Sequence, residues 1–270
     1  MNWHFAGPES LPMKLAGAGA VFLLLACAAP SLITGRDLPL ADIKTAPLNA
    51  EQVVSNLVRM NAQRAEKLQA YEGTRIYRLQ YRGFPGNRDA EMHVSVKYHR
   101  PLTKEFTIVS ATGSKVVIDR VFKKLLESEQ EALREDNQKG TALNTQNYDF
   151  TLLGFEPAAA THPSRYVMQI EPRKKNKFLY RGRIWIDGQD FAVVKIQAEP
   201  AKSPSFWTKH SEIEHSYEKV GEFWLPAHNQ SVSTIRLGGR AVLTIDYNEY
   251  RITDQLPVSG SIYEQPKERE

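Results

Sequence analysis

Cysteine occurs once in the 270 residues, at Cys27. An intrachain disulfide is therefore excluded, and the core must hold the fold without covalent help. Long apolar runs are missing too. The longest, Leu15 to Ala29, is shorter than the roughly 20 residues a membrane-spanning helix needs, and Gly17 and Gly19 soften it. No G-x-S-x-G elbow occurs, and no glycine pattern of the dinucleotide-binding or P-loop type. The lone cysteine sits at a cleavage site, and the seven histidines are scattered along the chain. The net charge of +4 is too mild a bias to demand a nucleic-acid partner. These absences leave no catalytic constellation, so neither an enzyme nor a cofactor nor a metal centre is expected.

What stands at the start of the chain is an address. "MKLAGAGAVFLLLACAAPS", Met13 to Ser31, has a basic residue, an apolar stretch and small residues in the order of a secretory signal. Both Met1 and Met13 are candidate starts, and residues 1 to 12 add little to the signal. Two processing patterns overlap. Leu24-Leu25-Ala26-Cys27 resembles a bacterial lipobox, with Cys27 as the lipidated first residue. Ala26-Cys27-Ala28 also satisfies the A-x-A rule of ordinary signal peptidase. The expected organisation is a signal peptide over 1–28, a flexible tether over 29–48, one domain over 49–254 and a disordered tail over 255–270. The expected location is the periplasm, either free or tethered through Cys27 to a membrane facing it.

Beyond the Pro-punctuated tether, Asn49 with Gln52 three positions on reads as a helix start. Val53, Leu57, Met60 and Leu68 follow at helical spacing, with Arg64 the odd member of that stripe. From Tyr71 the period changes to two. "YEGTRIYRLQYRG", "AEMHVSVKYHR" and "KEFTIVS" read as three strands of a meander, turning at Pro85-Gly86-Asn87. A second helix is expected from Ile118, Val121, Phe122, Leu125 and Leu126. About seven strands follow, each of 8 to 14 residues. No helix alternates with a strand, which disfavours a parallel sheet. The expected class is α+β: a large antiparallel sheet of about ten strands, curved because a sheet of that size curls, with two or three helices on its concave side.

Polar clusters offer little. His210, Glu212 and Glu214 share a strand face and could form a row of metal ligands. The plainer reading is a solvent-facing strand with Ile213 and Tyr217 turned inward, and it is preferred. "PRKKNKFLYRGR" gathers six basic residues between Arg173 and Arg183, and Phe178 and Tyr180 could stack bases. Export argues against nucleic acid. A solvated hairpin tip, or contact with anionic lipid headgroups or an acidic partner, remains. The inward rows are Tyr77, Leu79, Tyr81, Met92, Val94, Val96, Phe106, Ile108, Met168, Ile170, Leu243, Ile245 and Tyr247. They could line a hollow for a lipid or acyl chain, or pack into a solid core; the sequence admits both.

The exported N-terminus, the long first helix, "YEGTRIYRLQY", "GRIWIDGQDFAVVKIQAEP" and "GEFWLPAHNQSVSTIRLGGRAVLTIDYNEYRI" together resemble the outer-membrane lipoprotein-sorting and carrier superfamily. Its members are LolA/LolB-like, and the N-terminal domain of RseB-type regulators is similar. The resemblance covers roughly residues 50 to 253. It implies an unclosed antiparallel β-barrel capped by helices, and a monomer that carries or receives lipids or lipoprotein acyl chains without bond chemistry. An envelope-stress sensor that binds a regulator protein is the alternative it suggests. Carriers of this superfamily use an Arg near the mouth to hold a lid, but no motif here places that Arg.

Overall fold

The computed structural model describes residues 47–253 except 102, 177, 203–207 and 237, and leaves aside the side chains of Glu135 and Asp136. The signal, Cys27, most of the tether and the tail lie outside the described residues. The chain opens with helix α1 (Ala50–Lys67). The Asn49 side chain accepts from the Gln52 N–H at 2.9 Å, and the Gln52 side chain accepts from the Asn49 N–H at 3.0 Å. This reciprocal box satisfies two of the free N–H groups that a helix start leaves. The helix then buries Val53, Val54 and Leu57.

Three strands follow: β1 (Ala70–Gly83), β2 (Arg88–His99) and β3 (Thr103–Gly113). A helical stretch comes next. It begins as α2 (Lys115–Val117), widens into a π-helical turn at Ile118–Phe122, continues as α3 (Lys123–Ala132) and ends in α4 (Glu135–Thr141). The remaining strands are β4 (Tyr148–Glu156), β5 (Arg165–Pro172), β6 (Tyr180–Asp187), β7 (Val193–Pro200), β8 (Thr208–Val220), β9 (Phe223–Ile235) and β10 (Gly239–Thr253).

All ten strands form one sheet in the order β3-β2-β1-β10-β9-β8-β7-β6-β5-β4, and every pairing is antiparallel. The last strand returns to the first: Tyr77 lies opposite Ile245, and Leu79 opposite Leu243. Strands β3 and β4 are the two free edges, so the sheet is not closed. The chain crosses from one edge to the other through α2 to α4. On the way, Val117, Phe122, Leu125 and Leu126 of this stretch pack against β1, β2 and β10.

The apolar side chains gather into two clusters. The first joins β1, β2 and β10 to Val117, Phe122, Leu125 and Leu126 of the helical stretch. The second joins β4 to β8 to Val53, Val54 and Leu57 of α1. Each helix stripe therefore covers its own half of the sheet. The outer face carries exposed ion pairs, such as Arg78 to Glu91 at 2.7 Å and to Asp246 at 2.5 Å, each contributing about 0.2–1 kcal/mol. Where β1 meets the β9–β10 turn, Gly83 faces Gly239. A Cβ on Gly83 would stand 2.4 Å from the Gly239 Cα, so only glycine fits that approach.

Candidate ligand-binding site

Between the two apolar clusters lies a cavity of about 590 Å³, within the usual small-molecule range of roughly 300–1,000 Å³. The C-terminal half of α1 contributes Arg64 and Ala65, and its C-cap residue Leu68 joins them. The β2–β3 hairpin contributes Tyr98, Arg100 and Pro101. The β8–β9 hairpin contributes Tyr217, Phe223, Trp224 and Leu225, and Leu133 and Leu143 close the side near α4.

Arginines tie the end of α1 to its surroundings. Arg64 donates to the carbonyls of Asp190 at 2.7 Å and Phe191 at 3.1 Å, on the β6–β7 turn. Arg100 Nη1 donates to the Glu66 carbonyl at 2.5 Å. Asp190 in turn accepts from Trp224 Nε1 at 2.9 Å and pairs with Lys219 at 2.5 Å. The helix end that borders the cavity is thus pinned to two hairpins.

The inner wall holds a charged cluster. Arg75 from β1 meets Glu129 from α3 through two bonds, at 2.7 and 3.2 Å. Lys104 from β3 donates to the same carboxylate at 2.5 Å. All three side chains are buried and all three line the cavity. Arg75 also donates to the Tyr77 hydroxyl at 3.2 Å, and its guanidinium sits over the rings of Tyr247 at 4.9 Å and Phe106 at 5.6 Å. Burial opposes ionisation of Glu129, but the two cations outweigh it and hold its pKa at about 2.

Behind this cluster, His215 on β8 is buried without charge. Its Nδ1 accepts from the Asn229 side-chain amide at 3.0 Å, which places the proton on Nε2. Among the described residues Nε2 has no partner, and neither does the Tyr247 hydroxyl. Burial and the nearby Arg75 cation push the His215 pKa down to about 3, from 6.5. The unfolded chain therefore binds a proton below about pH 6.5 that the folded one refuses until about pH 3. Stability from this group is complete above pH 6.5 and falls as the pH drops through that window. The loss between pH 6.5 and 4.5 should flatten in His215→Gln. Urea titrations across that range check it, and an unchanged slope would show that another group titrates there.

The predicted inward rows are distributed as follows. Tyr247 lines the cavity. Tyr77, Leu79, Met92, Val94, Val96, Leu243 and Ile245 are buried in the first cluster, and Met168 and Ile170 in the second. Tyr81 and Phe106 pack against the first cluster from partly buried positions. Ile108 lies opposite Val94 but belongs to the edge strand, and it stays 40% exposed. Phe178 and Tyr180 of the basic stretch are buried, so neither ring is presented for stacking, and Arg173 pairs with Asp149 and Arg181 with Glu171. Among the described residues no group of three metal-ligating side chains converges; Glu214 pairs with Lys195 at 2.9 Å and His210 with Glu199 at 3.4 Å. No helix among them is long and apolar enough to cross a membrane.

Reading parity through the charged positions would have found the cluster. Arg75 lies on the same face as Tyr71, Tyr77 and Leu79; Lys104 shares that of Phe106; Glu129 continues the stripe of Phe122, Leu125 and Leu126. His215 falls between Ile213 and Tyr217 on the inward side of β8.

No family model and no curated protein matches the sequence. Solved structures do match. A putative outer-membrane lipoprotein-sorting protein domain from Vibrio parahaemolyticus has a TM-score of 0.39 and 14% identity, over 78% of this chain and 96% of that one. A DUF1329 family protein from Desulfovibrio piger has a TM-score of 0.37 and 14% identity, over 78% and 95%. A LolA superfamily protein from Nitrosomonas europaea has a TM-score of 0.33 and 11% identity, over 78% and 96%.

Proposed function

We propose that the chain is an exported carrier or receptor that holds the acyl chain of a lipid or lipoprotein, without bond chemistry. The observation that carries this reading is the 590 Å³ cavity, open between two apolar clusters and walled by Leu68, Tyr71, Phe223, Trp224 and Leu225. Each methylene moved from water into such a space contributes about 0.8 kcal/mol. A tail of about ten would gain roughly 8 kcal/mol before ordering costs, which is the micromolar range. Two further features support carriage over catalysis. Glu129 stays ionised down to about pH 2 and His215 stays neutral down to about pH 3. Neither is poised near neutral pH, where a general acid or base works best.

Native mass spectrometry of protein purified from the periplasm is the direct test, and a co-purifying lipid is the expected result. Displacement of a fluorescent fatty-acyl probe gives the complement. Ala65 is exposed on α1 and borders the cavity, so Ala65→Trp should plug the mouth without disturbing the core. Its expected effect is about a tenfold weaker probe affinity, roughly 1.4 kcal/mol. A probe that binds neither form, together with capture of an envelope regulator protein independent of lipid, would replace this reading with the interaction-module one.

A further inference from the structure

The buried cluster does not balance its own charge. Two cations, Arg75 and Lys104, share the single carboxylate of Glu129, and among the described residues no second acid pairs with either. The groups packed around them are the rings of Tyr71, Phe106 and Tyr247. A net positive charge held out of water is costly unless something pairs with it. Apolar residues could fill the same volume, so packing alone does not require a lysine at position 104.

The surplus faces the cavity. Lys104 has three N–H donors, and Glu129 takes one of them. The Tyr247 hydroxyl, buried in the same wall, has no partner among the described residues. The rim arginines differ in this respect, because Arg64 and Arg100 are engaged with backbone carbonyls. Lys104, with its unspent positive charge, and Tyr247, with its unpaired hydroxyl, both line the cavity, and Arg75 lies over the Tyr247 ring.

We infer that this wall receives a single anionic group, a carboxylate or a phosphate, at one end of an amphiphile whose tail lies against Phe223, Trp224 and Leu225. The inference rests on the acyl-chain reading and names the class of ligand within it. Lys104 and Tyr247 are the contacts for the anion. Glu129 is a positioning residue: it holds both cations in place and takes only half of their charge.

The test uses the full chain and four probes with one tail: dodecanoate, dodecyl phosphate, dodecanol and dodecyltrimethylammonium, each below its micelle-forming concentration. Dodecanoate or dodecyl phosphate should bind at least about tenfold tighter than dodecanol, and the ammonium weakest. A preference between the two anions tells a fatty acid from a phosphorylated lipid. Lys104→Met keeps the Arg75–Glu129 pair and should remove the preference for anions, so that the ratio of dodecanoate to dodecanol affinity falls by about tenfold. Lys104→Arg should retain the preference. Equal affinity for dodecanol and dodecanoate, or an undiminished preference in Lys104→Met, overturns the inference and leaves the acyl-chain reading standing. Failure of all four probes to bind removes both.

Discussion

Replacing Glu129 with alanine should destabilise the fold by about 3–5 kcal/mol, the usual cost of leaving a buried charge without its partner. Here two cations would be left facing each other. The same two cations set the pH dependence. The Glu129 pKa drops from 4.5 in the free residue to about 2 in the fold. At 1.36 kcal/mol per unit, that is roughly 3 kcal/mol of stability at neutral pH. The folded pKa is the lower one, so this stability is fully present above pH 4.5 and is lost as the pH falls towards 2. Urea denaturation of wild type and Glu129→Ala should therefore converge at acid pH and separate at neutral pH. A constant gap between the two curves would mean that the carboxylate acts through packing alone. Replacing Arg75, Lys104 and Glu129 together by apolar residues should cost far less than Glu129→Ala, because it leaves no charge stranded. A triple variant as unstable as the single one would contradict that account.

The two helices, the change of period at Tyr71 and the order of strands were legible because each rests on a local pattern: a capping box at Asn49, alternation along β2, glycine and proline at the breaks. Short connections made the antiparallel class follow. Return of β10 to pair with β1 was not legible, because it is a contact between the two ends of the domain and leaves no local mark. Apolar residues alone mark the walls of the candidate site and not its centre. Arg75, Lys104, Glu129 and His215 occupy positions that the strand and helix periods turn inward, yet their chemistry suggests solvent. Each is tolerated inside because another far along the chain meets it: Arg75 and Glu129 are 54 residues apart, and His215 and Asn229 are 14 apart on neighbouring strands. A charged residue at an inward parity is therefore a signal to search for its partner.

Phe122→Ala should remove about 3–5 kcal/mol by opening a cavity in the first cluster. Phe122 is fully buried inside the π-helical turn, and its ring packs against Tyr77 at 5.9 Å between centroids. For a domain of this size each kcal/mol lowers Tm by roughly 2–4 °C, so a fall of about 10 °C is expected. The position matters beyond its own contacts. Phe122 lies two helical turns before Glu129, and loosening it frees the helix that carries the carboxylate away from Arg75. Leu57→Ala makes the matching cut in the second cluster, at α1, with an expected cost of about 2–5 kcal/mol. The sheet runs unbroken through β10, β9 and β8 between the two halves, so both variants should show one transition, coincident by far-ultraviolet circular dichroism and by tryptophan fluorescence. Two separate transitions in Phe122→Ala would mean that the cavity divides the protein into halves that melt independently. The charged cluster would then be stabilising the first half only, and ligand binding across the cavity should be what couples the two.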